Sequence, residues 1–256
     1  MMNYLAIVRK ELQCLFVSPI AYVVLAVFFT VSGYFFFLIL SVIVEQSVMR
    51  AQFAPGPMDI PTQVMQNFLG VLSTILLFLL PMITMGIFAE EKKRGTIELL
   101  FTSPLTNLQL ILGKFTAGLA FILVMMLLPA FNTLWLYWYS EPTPALTPFF
   151  NGILGALLMG GALLAVGMFV SSLTENQIVA AAVTFGLFLV LWVIDASAGS
   201  GTTFVNETLR YLSVLNHYQD FTRGIFDTQH VVFYLSFIML GLFMTSLSLD
   251  SAKWRK

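Results

Sequence analysis

From Ile20 to Val44 the chain runs for twenty-five residues without a charged side chain. About 20 apolar residues of helix cross the hydrocarbon core of a bilayer, so this stretch reads as a membrane span. Five more follow, at Val64–Phe88, Leu108–Tyr139, Phe149–Val170, Gln177–Ile194 and Val231–Leu249, and Lys114 is the one charge within them. Apolar residues make up 59% of the chain and the mean hydropathy is +0.90, as in polytopic membrane proteins. Six spans and their loops use up the 256 residues and leave no sizeable soluble domain. The expected fold is an all-α polytopic membrane protein with six transmembrane helices, one domain over residues 1–256. The first apolar stretch is too long for a signal-peptide core and no A-x-A-like site follows it, so cleavage is not expected. The single Cys14 excludes an intramolecular disulfide and a cysteine-based metal cluster.

Between the second and third spans lies AEEKKRGTIELLFTSPLTNLQLILGKF, Ala89–Phe115, with five consecutive charges from Glu90 to Arg94 in a chain only 10% charged. Charge this dense belongs in water at one membrane face. Gly95 releases the chain from the preceding helix, and Thr96 can cap a short new one with Glu98 near its positive end. Ile97, Leu99, Leu100 and Phe101 give that short helix an apolar side, and Pro104 stops it. Thr106 and Gln109 then form a capping-box pattern that opens the third span. A capped amphipathic helix over about 95–104, ringed by charge, reads as a docking element; the plainer alternative is an ordinary basic loop.

Residues 3–17 carry Tyr4, Leu5, Val8, Leu12, Leu15 and Phe16 at three- and four-residue spacing, with Arg9, Lys10 and Glu11 nearby. The pattern suits a helix lying in the interface, ended at Ser18-Pro19; a plain extension of the first span is the alternative. Glu45–Gln63 reads as a polar loop. Pro81 and Pro129 are expected to kink spans two and three, and Ser140–Pro148 to form a tight turn. Span four is rich in small residues. Gly152, Ala156 and Gly160 share one face, which lets a neighbouring backbone approach and places this span against protein. A short turn, Ser171–Asn176, holds Glu175. The segment 197–229 is too polar to span yet keeps many large apolar groups, so it reads as one or two short outer re-entrant helices packed on protein.

With the N-terminus in the cytosol, the inner segments hold Arg9, Lys10, Lys92, Lys93, Arg94, Lys114, Lys253, Arg255 and Lys256. The outer ones hold only Arg50, Arg210 and Arg223, so both termini and the docking segment are expected to be cytosolic. No span carries a charge deep in the bilayer, where an ion-coupled carrier needs one. Gly113-Lys114 lacks the earlier glycine and the Ser/Thr of a P-loop, so the chain is not itself an ATPase. His217 and His230 have no third ligand at metal spacing, and Ser197–Gly201 is a flexible turn rather than a nucleophile elbow. Catalytic, cofactor and metal residues are therefore expected to be none.

Glu90–Phe115 looks like the signature between spans two and three of ABC-2 type transporter permeases. Ile7–Leu25 resembles their elbow helix and first span. Leu215–Ser236 is similar to the gliding-motility (Gld-type) and copper-maturation (Nos-type) branch. The resemblance implies a non-catalytic permease subunit of the bacterial inner membrane, paired with a second copy or a sister permease. Two cytosolic ATPase subunits, carrying the ATP and Mg, would bind beneath. The helix near 95–104 would be the coupling helix, with Glu90, Glu91, Arg94, Gly95, Thr96, Glu98, Leu99, Leu100, Phe101 and Pro104 at the ATPase contact and Glu175 at a second one. A periplasmic accessory subunit and membrane lipid are further possible partners; nucleic acid is not. The work done would be export, or force applied to periplasmic partners. Two other classes remain open: a non-transporting scaffold that anchors a cytosolic partner, and a membrane enzyme using His217, Asp220 and Arg223 at the outer face.

Overall fold

The computed structural model describes residues 2–53, 59–97, 106–141, 143–197 and 211–254. Its helices are α1 (Met2–Val17), α2 (Pro19–Phe53), α3 (Ile60–Thr84), α4 (Ala89–Lys93), α5 (Asn107–Tyr139), α6 (Leu146–Leu173), α7 (Gln177–Ser197), α8 (Val214–Thr222) and α9 (Thr228–Trp254). No strand occurs among the described residues. Six of the helices are long and apolar enough to cross a membrane, within Pro19–Arg50, Ile60–Lys93, Asn107–Tyr139, Leu146–Leu173, Gln177–Ile194 and Thr228–Ser251.

Burial divides the spans into two groups. The most apolar windows of α3, α5 and α6 are 50%, 61% and 67% buried, whereas those of α2, α7 and α9 are 17%, 17% and 22% buried. The first three form the inner bundle, and the others wrap it with apolar faces turned outward. The small residues of α6 make that bundle possible. A Cβ at Gly152 would stand 2.5 Å from Leu69 Cδ1 on α3, and one at Gly160 would stand 3.1 Å from Ile122 Cγ2 on α5. Ala156, between them, is fully buried. The face read from four-residue spacing is thus the face packed against protein.

Local chemistry sets where the helices begin. Asp59 caps α3 by accepting from Thr62 N at 3.1 Å, with Pro61 just inside the start. Thr106 and Gln109 form the expected capping box on α5, each bond 3.3 Å long. Gly95 has φ +69°, the left-handed conformation that ends α4 and that glycine adopts without a Cβ clash.

Several helix limits differ from the hydropathy limits. α2 runs nine residues past Val44 to Phe53 and α3 begins at Ile60, so thirteen of the nineteen residues of the expected 45–63 loop are helical. Hydropathy marks where lipid contact ends, but Glu45–Gln52 are compatible with helix and no Pro or Gly precedes Pro55. α3 ends at Thr84, not Phe88, three residues beyond Pro81, and the chain turns at Met85–Phe88 before α4. α6 extends the expected span to Leu146 and Leu173, which narrows the following turn to 174–176. α7 continues to Ser197, and α9 covers Thr228–Trp254.

Within the expected outer segment, α8 is a nine-residue helix capped by Ser213, whose Oγ accepts from Asn216 N at 3.0 Å. It presents Leu215, Tyr218 and Phe221 to the bundle. Tyr218 Oη donates to Gly152 O at 3.1 Å, and a Cβ at Gly155 would meet Phe221 at 2.7 Å. The segment is therefore packed on α6. Residues 198–210 lie outside the described residues.

Candidate functional site

At the end of the bundle where α3 finishes and α5 begins, polar side chains collect into one connected region. Lys114 stands two turns into α5, and its side chain is only 2% exposed. An isolated ammonium so placed loses its hydration and is stable only if paired. Its Nζ donates to Glu91 Oε1 of α4 at 2.8 Å and to Glu11 Oε2 of α1 at 3.2 Å. The same ammonium lies 5.4 Å from the Phe88 ring centroid. One buried cation thus ties the N-terminal helix, the charged segment after α3 and the start of α5.

A second joint lies beside it. Ser171 Oγ, fully buried, accepts from Phe88 N and Ala89 N, both at 3.1 Å, and donates to Met85 O at 3.0 Å. These bonds satisfy donors at the start of α4, where no side chain of its own caps the helix. Lys92 Nζ reaches Ser172 O, and Ser248 Oγ of α9 reaches the same carbonyl at 3.2 Å. Glu175, exposed in the turn after α6, interacts electrostatically with Lys92. Asn107 Nδ2 donates to Asp250 Oδ1, which joins α5 to α9. The charged segment is therefore bonded directly to α5 and α6, and Lys114 and the Ser172 carbonyl link it on to α1 and α9.

Its outer side is free. Glu90 pairs with Arg94 on the surface, and Lys93, Arg94, Gly95 and Thr96 are exposed while Ile97 is buried. Glu98, Leu99, Leu100, Phe101 and Pro104 lie outside the described residues, as does most of the expected 95–104 helix; Thr96 and Ile97 are helical. On α1, Arg9 and Lys10 are exposed and Glu11 turns inward to Lys114. α1 lies close on α5: Tyr4 Oη donates to Thr116 Oγ1 at 3.1 Å, and a Cβ at Gly113 would stand 2.5 Å from Ile7 Cγ2. Between α1, α2, α3 and α5 opens a cavity of about 830 Å³, lined among others by Cys14, Val24, Met82, Glu91, Lys114 and Phe121.

At the opposite end of the bundle, His217, Asp220 and Arg223 do come together. His230 Nε2 is 2.8 Å from Asp220 Oδ2, Arg223 Nη1 is 3.7 Å from Asp220 Oδ1, and His217 Nδ1 is 2.6 Å from His230 Nδ1. Both nitrogens of the buried His217 are engaged, which leaves it no ring atom to offer a substrate. No group of three metal-ligating side chains occurs among the described residues.

Sequence reasoning placed Lys114 near the start of span three and went no further. A lone lysine that deep in an apolar run demands a carboxylate partner, and that signal was present. Which carboxylate answers it is a matter of tertiary contact, over separations of 103 residues to Glu11 and 23 to Glu91. Ser171, assigned to a turn, is instead in the last turn of α6.

Comparison of the sequence with models of known families gives a match. The model described as ABC-2 family transporter protein matches residues 5–249, nearly the whole chain. No curated protein matches it.

Proposed function

The chain belongs to the ABC-2 transporter family, and from that premise we propose that it is the permease subunit through which separate cytosolic ATPase subunits drive export, or apply force, across a bacterial inner membrane. The observation that carries this reading is the fastening of the partly exposed 89–97 segment to α5 and α6 directly, and through Lys114 and the Ser172 carbonyl on to α1 and α9. A displacement applied at Arg94 or Thr96 is handed to α5 through Lys114 and to α6 through Ser171 and Ser172. Packed bundles respond to such a push by moving between discrete arrangements rather than by continuous bending.

In this reading the Lys114 end is cytosolic, which puts Arg9, Lys10, Lys92, Lys93 and Arg94 on the side that favours basic residues. Residues 95–104 serve as the coupling segment: Glu90, Arg94 and Glu98 orient the ATPase contact by charge, and Leu99, Leu100 and Phe101 offer it apolar area. Glu175 forms a second contact with the ATPase. Two permease copies, or this chain and a sister permease, pack together, each above one ATPase carrying ATP and Mg. The outward apolar faces of α2 and α7 meet lipid and the second permease. Leu215–Ser236 supports the gliding-motility or copper-maturation branch, in which a periplasmic subunit is a natural addition.

Site-specific photo-crosslinking from Thr96 tests the reading, with Tyr211 at the other end of the bundle as control. A nucleotide-binding subunit captured from Thr96 and absent from Tyr211 supports it. Capture from neither position, or equally from both, overturns it.

A further inference from the structure

The chain has two histidines, and the fold places them ring to ring. His217 stands on α8 and His230 in the first turn of α9, with ring centroids 4.8 Å apart. Three hydrogen bonds run in series through them. His217 Nε2 is 2.8 Å from Tyr211 O, His217 Nδ1 is 2.6 Å from His230 Nδ1, and His230 Nε2 is 2.8 Å from Asp220 Oδ2. A carbonyl only accepts, so His217 Nε2 carries a hydrogen. The two facing Nδ1 atoms need one hydrogen between them, and the Asp220 contact needs a third. Two neutral imidazoles and a carboxylate supply only two. For all three contacts to be hydrogen bonds at once, the set must hold one extra proton, shared among His217, His230 and Asp220.

We propose that this shared proton makes the His217–His230 contact a two-sided pH latch that holds α8 against the start of α9. A second extra proton sets N–H against N–H across the 2.6 Å contact and drives the rings apart. Loss of the shared proton sets lone pair against lone pair, with the same result. The latch closes only between these limits. Its surroundings keep it in a narrow range of states. His217 is buried and stacked on Phe233 at 4.0 Å, and Tyr234 Oη anchors the same corner by donating to Val214 O at 2.7 Å. Burial weakens the basicity of His217; the Tyr211 carbonyl acts against that effect, the neighbouring His230 adds to it, and Asp220 opposes it.

The other charged or titratable groups recorded around the pair are few. Arg223 pairs with Asp220, and Tyr211, Tyr218 and Tyr234 lie beside the rings. Of the helices packed on α8, α3 and α6 contain no ionisable residue and α7 contains one, Asp195. Glu207 and Arg210 lie outside the described residues.

Nitrogen-15 histidine NMR of the full-length protein in nanodiscs reads both rings without interference, because there are only two. The expected result is two titration steps separated by more than about one pH unit, as strongly coupled sites give. Between the steps, one neutral ring protonated at Nε2 and one doubly protonated ring are expected. His230→Gln is expected to merge the profile of His217 into a single step and to remove its alkaline limb; His217→Gln gives the reciprocal check if the first variant does not fold. Two superposed steps in the natural protein overturn the proposal. So does a histidine whose titration is unmoved when its partner is replaced.

Discussion

Lys114 Nζ and Glu91 Oε1 lie 2.8 Å apart, with the lysine side chain 2% exposed. The one charge in the third span is thus held by the segment that leaves the second. Glu11 completes the set at 3.2 Å, so the three charges join elements far apart in sequence.

Lys114→Met removes the cation and leaves two carboxylates facing each other. Loss of one partner from a buried pair typically costs about 3–5 kcal/mol. The lower end applies here, because Glu11 and Glu91 keep 15% and 17% side-chain exposure. Thermal unfolding in detergent is expected to drop clearly for Lys114→Met. The triple variant Glu11→Gln, Glu91→Gln, Lys114→Met is expected to recover more than half of that loss.

A Cβ at Gly167 would lie 2.5 Å from Thr84 Oγ1 and 2.6 Å from Thr84 Cβ, whereas one at Gly33 would meet nothing within 4 Å. Thr84 is β-branched and fully buried, so it cannot swing aside. Gly167→Ala is expected to destabilise the chain by about 1–3 kcal/mol through overpacking. Gly33→Ala, inside α2, is expected to be neutral or stabilising by about 0.5–1 kcal/mol. Equal midpoints for the two variants would refute the close α3–α6 packing.

The acid limb of stability follows from His217. Its folded basicity lies below the ordinary value of 6.5, chiefly through burial, so below that pH the unfolded chain takes up the proton more readily than the folded one. The part that burial of His217 links to pH is complete above pH 6.5 and is lost progressively as the pH falls below it, levelling off once the folded ring is also protonated; loss of the shared proton at the His217–His230 contact is a separate, alkaline effect. Melting at pH 7.5 and at pH 5.5 reads the difference, and His217→Gln is expected to shrink it.

Glu98→Lys and Leu100→Asp test the proposed coupling segment. Both are expected to insert normally yet to lose the linkage between ATP hydrolysis and transport or force in nanodisc-assembled complexes. Normal coupled activity in both would sink the coupling-helix assignment.

Much of this architecture is visible in the chain itself, because its determinants are local. Uncharged runs set the spans, Thr106 and Gln109 cap α5, Gly95 ends α4, and Gly152, Ala156 and Gly160 mark the buried face of α6. Helix limits are less visible, since α2 continues past the lipid boundary on residues compatible with helix in water as well as in lipid. Long-range polar pairing is not visible at all. Nothing in the local pattern joins Lys114 to Glu11, or Ser171 to the start of α4, because those contacts exist only once the spans have packed. The histidine pair escapes for the same reason. Its spacing in the sequence offers no third metal ligand and says nothing of ring-to-ring contact.

The most direct test of the account is purification of the tagged chain from its native membrane in mild detergent, with bound subunits identified and ATP hydrolysis measured. The account predicts a co-purifying nucleotide-binding subunit whose hydrolysis is stimulated by the natural chain and falls with Lys114→Met. A chain that emerges alone, or with partners that do not hydrolyse ATP, would contradict it.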